Sequence, residues 1–440
     1  MVTHGGPNAV TARNSWVSPH HHGSHRDLLR PVRVSAPSNA HVDMIAVPTS
    51  RPVSYLAHAV RLAERLDCTL LVLASGKCSA SEVVRRYGAR LDDRLIVIDV
   101  PIGYAQSEPM FRFRADAVAP EVTTRPSDTS VKRNLALVLA KSLGVRALFF
   151  LDDDIIVPDW VDVCRAAAVM GRGHRAAGLF VDGYPDNSVV CHANRLTGGQ
   201  QDTFVGGGAL MVDAQQATGF FPNVYNEDWF FLLDSAADRA VATTGTAVQR
   251  PYDPFHSPHR ARGEEFGDVL AEGLFWRLDL GDSVRGADAA FWKRALDRRL
   301  HFIDEVQERV GRMRDAPSLR WRIEASLEAA TLAHHTFTPS ICAHYLESWL
   351  HDRKGWNRRL ARMPFGRPLG ELLASLHLTL AGTADPGMRT IPAPTVVMSP
   401  DPQPLADSHG EPLWGLRSPL TVAAAGRRAS VPSVDSSLTA

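Results

Sequence analysis

Leu148-Phe149-Phe150-Leu151-Asp152-Asp153-Asp154-Ile155 is an apolar strand that runs straight into three consecutive carboxylates. A core strand has no use for such an ending, because a buried charge is costly unless it is paired. In an extended chain alternate side chains share a face, so Asp152 and Asp154 are predicted to point the same way, with alpha carbons about 6.7 Å apart. Like charges held there repel unless a cation or hydrogen-bond donors offset them, and an all-oxygen donor set suits Mg²⁺ or Mn²⁺.

Working outward, the same strand is preceded by a helix predicted over Ser130 to Leu143 and ended by Gly144. Earlier still, His41 to Val47 reads as a strand, and Val53 to Leu66 as a helix with Leu56, Val60, Ala63 and Leu66 on one face. The cycle repeats with a strand at Thr69 to Ala74, a helix over about Ser81 to Tyr87 stopped by Gly88, and a strand at Leu95 to Asp99. Strands alternating with helices predict right-handed βαβ units in a mainly parallel sheet, whose ligands sit at the carboxyl ends of the strands. After about Pro258 the period becomes helical, with stripes at Leu296, Leu300, Ile303, Val310, Met313 and at Ile341, Tyr345, Trp349, Trp356. The many arginines of that region read as a solvated face. The division expected is a flexible head (1–40), an α/β domain (41–257), a helical C-terminal region (258–384) and a flexible tail (385–440). The head carries His20, His21, His22 and His25, read as inert in a mobile segment.

Composition narrows the classes. Lys plus Arg and Asp plus Glu both number 48 in 440 residues, so the formal charge is zero and a dedicated nucleic-acid binder is not expected. Five cysteines with no CxxC pair predict neither a disulfide framework nor a structural zinc site, and fit a reducing compartment. No apolar run reaches the roughly 20 residues of a membrane span, and the start lacks a secretory pattern, so a cytoplasmic protein is expected. Membrane contact is at most peripheral, through Leu369 to Leu380, a stretch that reads better as a core helix.

Two further groups stand where a parallel sheet binds ligands. Pro48-Thr49-Ser50-Arg51-Pro52 closes the first strand, and Lys132-Arg133-Asn134 lies near the start of the third helix; both supply donors for phosphate or a base edge. Downstream, Gly206-Gly207-Gly208-Ala209 permits close backbone approach to a ligand, and Asn226-Glu227-Asp228-Trp229 opens an apolar helix with two carboxylates.

Taken in order, the PTSRP loop, the KRN helix start, the strand ending in D-x-D, the GGGA segment and the later E-D pair resemble the nucleotide-sugar-dependent glycosyltransferases of the GT-A fold, in particular family 2. The resemblance covers roughly Val42 to Pro254. It implies a Rossmann-like sheet flanked by helices, with Mn²⁺ or Mg²⁺ as cofactor, a nucleoside diphosphate sugar as donor and a hydroxyl acceptor. Asp152 would contact the ribose or the metal, Asp154 would be the main metal ligand, and Asp228, beside Glu227, the acceptor-activating base. Pro48, Thr49, Ser50, Arg51, Lys132, Arg133, Asn134, Asp153, Gly207 and Gly208 would line the donor pocket. His256 resembles a third metal ligand found after the catalytic region in some relatives, with His259 as its competitor.

One departure concerns the base. The second strand in these enzymes often ends in an acidic residue, whereas Leu73-Ala74-Ser75-Gly76-Lys77 has none, which leaves Asp99 as the substitute. The alternatives are a retaining GT-A enzyme and a non-catalytic nucleotide-sugar-binding scaffold. A nucleotidyltransferase would be expected to carry a GxGxR loop where PTSRP stands. The motifs specify neither the sugar, the acceptor nor the oligomeric state.

Overall fold

The computed structural model describes residues 16–21, 26–34, 40–123, 125, 127–170, 172–183, 188–200, 205–314, 316–381 and 403–404. Its strands are β1 (Leu29–Arg33), β2 (Met44–Thr49), β3 (Thr69–Ala74), β4 (Leu95–Asp99), β5 (Ala147–Leu151), β6 (Ile155–Ile156), β7 (Ala176–Gly183), β8 (Ala209–Asp213), β9 (Val241–Gln249) and β10 (Gln403–Pro404). They form one sheet in the order β10-β1-β9-β7-β8-β5-β2-β3-β4, with β6 paired to β9. The half containing β4, β3, β2 and β5 is parallel throughout, as the βαβ pattern requires. β8 runs against both β5 and β7, and β7, β9 and β1 are again parallel.

Side-chain alternation builds a core on each face of the sheet. Met44, Ala46, Leu71, Leu73, Leu148 and Phe150 face the helix Thr129–Leu143 and the C-terminal helices. Ile45, Val47, Leu70, Val72, Phe149 and Leu151 face the helices Ala57–Leu66, Ala80–Leu91 and Val161–Val169. The Thr129–Leu143 helix, buried over most of its length, ends where Gly144 takes the left-handed conformation at φ +79°, and its amide caps Lys141 and Ala140 carbonyls. That turn aims the chain into β5 and so sets where the three aspartates emerge.

The structure differs from the sequence expectation in several places. Gly88 does not stop its helix, which runs Ala80–Leu91. Ser79 caps it by accepting from the Glu82 amide, buried Val83, Tyr87 and Leu91 anchor it, and the left-handed residue that ends it is Asp92. An interior glycine costs a helix only about 1 kcal/mol, less than that anchoring supplies. Part of the expected flexible head is built into the fold: Leu28, Leu29 and Val32 are buried and β1 pairs with β9. Trp16 exchanges backbone hydrogen bonds with Gly198 and Gln200. The expected tail lies outside the described residues apart from 403–404.

Four long helices, Pro258–Asp279, Ala289–Gly311, Pro317–His334 and Pro339–Ala361, make the C-terminal region. Its arginines are not all solvated, because Arg299 is buried among carboxylates of the neighbouring helix. Leu369, Leu372, Leu373, Leu376 and Leu378 are buried in the main core, which accounts for the apolar stretch at Leu369 to Leu380. Among the described residues, no helix is long and apolar enough to cross a membrane, and all five cysteines are free and buried.

Candidate active site

The carboxyl ends of β2, β3 and β5 converge on one polar cluster. The chain leaves β5 at Leu151 and turns, the Ile155 amide donating to the Asp152 carbonyl at 3.1 Å. The expected strand alternation therefore stops at Asp152, and the aspartates divide differently from the prediction. Asp152 accepts both oxygens' bonds from Arg133 Nη2, at 2.9 and 3.0 Å. Asp153 and Asp154 share Arg51, which pairs with Asp153 and lies 2.9 Å from Asp154 Oδ2.

The PTSRP loop supplies the cation and its orientation. Thr49 Oγ1 donates to Asp153 Oδ2 at 2.5 Å and accepts the Arg51 amide at 3.2 Å. Arg51 and Arg250 flank the Tyr55 ring, at 5.6 and 5.5 Å from its centre. Burial pushes the Asp153 and Asp154 carboxyls above their ordinary range; Thr49 and Arg51 oppose this at Asp153, and the charge of Asp152 adds to it at Asp154. Burial lowers the Arg51 guanidinium, but Asp153 and Asp154 outweigh it and hold the pKa above normal. Ser50 is exposed and Pro48 buried; the Ser50 carbonyl accepts the Lys77 amide at 2.9 Å.

The KRN residues take three different parts. Lys132, fully buried, donates to the Thr49 carbonyl at 2.9 Å and Ser75 Oγ at 2.7 Å and pairs with Asp128 at 2.9 Å. Burial lowers its pKa and Asp128 opposes this. Arg133 is also buried and bridges Asp152 to Glu227 Oε1, the latter at 2.7 Å, with its guanidinium 5.6 Å from the Phe221 ring centre. Burial acts to lower it; Asp152, Glu227 and Asp228 raise it overall. Asn134 does not face the cluster, because its amide donates to the Phe221 carbonyl and accepts from the Phe221 amide, both at 2.8 Å. It fastens a loop and is withdrawn from the donor-pocket set.

The glycine segment lies directly on these groups. The Gly207 amide donates to Asp228 Oδ2 at 2.6 Å, and a methyl group at Gly207 would come within 2.7 Å of the Arg133 guanidinium. Gly208 lends its carbonyl to the Asp152 amide at 3.0 Å, and a methyl there would meet Asp152 Oδ2 at 3.1 Å. Asn226, left-handed at φ 61°, opens the Glu227–Ala237 helix. Asp228 Oδ1 accepts the Trp229 amide at 2.9 Å. Glu227 is buried between Arg133 and Arg125; burial pushes its carboxyl up and both arginines pull it down.

Thus Thr49, Arg51, Arg133, Asp152, Asp153, Asp154, Gly207, Gly208, Glu227 and Asp228 come together. Asp99 is exposed at the end of β4, beside Ala74 of β3. His256 and His259 are exposed just past β9. Among the described residues, the group of His, Cys, Asp and Glu atoms compact enough to hold a metal, all within 4.8 Å of one another, is His21, Cys191 and Glu272; it does not contain Asp152, Asp154 or His256. Sequence reasoning missed Arg125, Ser75, Asp128 and Arg250. Arg125 follows no motif, and the Arg250 amide reaches the Asp154 carbonyl at 3.0 Å only because β6 folds back on β9.

No family model matches the chain, and no curated protein does. Among solved structures the chain is similar to S. aureus TarS 1–349, alone and in complex with UDP-GlcNAc. Identity is 12% and the TM-score 0.33 in both comparisons, covering 67% of this chain and 90% or 91% of the other.

Proposed function

We propose that this cluster transfers a sugar from a nucleoside diphosphate sugar to an acceptor hydroxyl, with inversion at the anomeric carbon. The observation that supports it best is Asp228: two backbone amides fix its carboxylate beside the acidic turn of Asp152 to Asp154, at the carboxyl edge of the sheet. Each of its oxygens keeps a lone pair, so it can accept the acceptor's proton while the Gly207 and Trp229 amides hold its orientation. Glu227 holds Arg133, and Arg133 holds Asp152, so this side of the site is set before any ligand arrives. Arg51, half exposed on the acidic turn, would bind the donor's diphosphate.

The donor set fits Mn²⁺ or Mg²⁺. Its carboxylates are oxygen donors, and Asp153 and Asp154 have carboxyls raised by burial that a cation would favour in the charged form. Asp152 and Asp154 would hold it, with His256 as a third ligand. When bound, it supplies positive charge to the leaving diphosphate. Thr49 and Lys132 keep the PTSRP backbone in place, and Asp99 remains the candidate to read the donor's nucleobase.

The test is a thermal-shift panel of nucleoside diphosphate sugars, UDP-GlcNAc included, with and without Mn²⁺, followed by NMR of the new anomeric linkage. Metal-dependent stabilisation by one donor and an inverted product are expected. A retained configuration replaces the inverting reading. Donor binding with no transfer to any hydroxyl makes the protein a scaffold, and no donor binding removes the proposal.

A further inference from the structure

His21 lies buried against the helical region although it belongs to the N-terminal segment. Its ring stacks on Phe302 with centroids 4.2 Å apart and planes 6° off parallel, and it is 8% exposed. Neither ring nitrogen makes a hydrogen bond. A buried imidazole with neither nitrogen hydrogen-bonded is a destabilising arrangement that a ligand would relieve. Its Nδ1 is aimed at a carboxylate, 3.7 Å from Glu272 Oε2. The other oxygen of Glu272 lies 3.9 Å from Cys191 Sγ.

We propose that His21, Cys191 and Glu272 form a zinc site, remote in sequence and chemistry from the aspartate cluster, that clamps the N-terminal segment to the helical region. The donor set is one nitrogen, one sulfur and one oxygen, a combination that suits Zn²⁺ and does not suit Mg²⁺. Tetrahedral zinc with bonds of about 2.0 to 2.3 Å places its ligand atoms roughly 3.3 to 3.8 Å apart. His21 lies 3.7 Å from one Glu272 oxygen and Cys191 3.9 Å from the other, and one donor atom from each of the three residues lies within 4.8 Å of the other two. Water would complete the shell.

Each ligand comes from a different element, and each is held by neighbours that do not ligate. Cys191 sits in the first turn of the Val189–Leu196 helix, capped by Ser188. Glu272 is on the Pro258–Asp279 helix, where Arg299 Nη1 donates to its Oε1 at 3.0 Å. On the N-terminal side His21 is flanked by Ser18 and His20, which both bond Glu305, at 2.5 and 2.7 Å. Arg299 bonds Glu272 together with Glu265 and Asp268, so the Glu272 carboxylate is held in place from the neighbouring helix. Binding replaces the Cys191 S–H bond with an S–Zn bond and releases the proton to solvent. Burial, with Glu272 and Asp268 adding to it, pushes that thiol up, and the metal charge acts against both.

The full-length protein, stripped with a chelator, is titrated with Zn²⁺ alone and, separately, with Co²⁺. One zinc per chain, a raised melting temperature and a near-ultraviolet thiolate-to-cobalt charge-transfer band are expected. Cys191→Ser should abolish the band, and His21→Ala should weaken zinc by at least about tenfold. The wild-type cobalt spectrum stands without any variant: no thiolate band overturns the proposal even where Cys191→Ser fails to fold. Zinc that survives unchanged in both variants is held elsewhere, by the histidine-rich head or the aspartate turn, and also overturns it. None of these readings depends on sugar transfer, so the two proposals fail separately.

Discussion

Arg133 and Arg299 are both buried guanidinium groups gripped by carboxylates, yet one cluster opens to solvent and the other is closed. Around Arg133, the Glu227 side chain is 9% exposed but Asp152 is 27% exposed, beneath a glycine segment. Around Arg299, Glu265 and Asp268 are 1% and 4% exposed, Glu272 lies at the rim at 16%, and His334 covers the side between Glu265 and the Leu296 carbonyl. The two are joined: Asn226 Nδ2 donates to Asp268 Oδ1 at 3.0 Å, and the next residue, Glu227, bonds Arg133. The same chemistry therefore does two jobs. Where a carboxylate keeps a wet face it can exchange partners with a ligand; where every face is covered it fixes the helix on which the first cluster stands.

The sharpest test of the open cluster is Asp228→Asn. The Asn side chain keeps one acceptor oxygen for the Gly207 amide and loses only the Trp229 contact, so donor and metal binding should persist. Transfer should fall by about two to four orders of magnitude, the scale of general-base catalysis. Near-normal turnover would remove Asp228 from the base role.

In the closed cluster the largest expected loss is stability. Arg299→Met leaves Glu265, Asp268 and Glu272 without the cation that bonds all three, and breaking a buried pair costs about 3–5 kcal/mol. Arg133→Met should cost less, because Asp152 can recover water. Urea unfolding of both variants measures the gap, and equal losses would erase the distinction between open and closed.

Much of the parallel half was legible because local signals agreed. β3 and β4 lie where the apolar runs Thr69 to Ala74 and Leu95 to Asp99 place them, and Gly144 ends its helix as read. The approach of Thr49, Arg51, Arg133, Asp152 and Asp228 follows from their positions at strand and helix ends. What was not legible depends on partners distant in sequence. Nothing local in Lys132-Arg133-Asn134 says that Asn134 will fasten Phe221, more than eighty positions on. The turn at Asp153 to Asp154 needs β6 to pair with β9, which no local pattern announces. Arg299 was hidden among surface-like arginines, although Glu265, Asp268 and Glu272 recur at three and four positions along one helical face, a spacing that asks for a buried cation.

The acidic turn should also be the more acid-sensitive region. His58 Nε2 accepts the Val157 amide at 2.9 Å, just after the aspartates, which requires a neutral acceptor nitrogen. Burial lowers its pKa from 6.5 to about 4, with Arg61 and Arg250 adding to the effect. The unfolded chain therefore binds more protons between those values, and stability rises with pH across that window. The contribution is complete above about pH 6.5 and is lost as pH falls toward 4, roughly 1–2 kcal/mol once solvent screening of a partly exposed ring is allowed for. His58→Gln should flatten that limb of the stability curve. An unchanged slope would mean that another group sets it.

The smallest expected effect concerns where the open cluster ends. His256 lies exposed on the chain that follows β9, and that chain begins against the aspartates, with the Arg250 amide on the Asp154 carbonyl. Nearby Asp253 is tied to Arg322 of the helical region, and its Oδ1 accepts the Phe255 amide at 3.0 Å, so the segment around His256 is anchored on one side. On the proposed function, His256 would complete a shell begun by two carboxylates without being needed to form it. His256→Ala should therefore weaken Mn²⁺ by about tenfold, with donor affinity in the absence of metal unchanged. His259→Ala serves as the control, since it sits at the second position of the Pro258–Asp279 helix and should leave the Mn²⁺ titration where it is. If His259 carries the effect and His256 does not, the shell closes from the helix; if neither does, the carboxylates and the donor's phosphates make it alone.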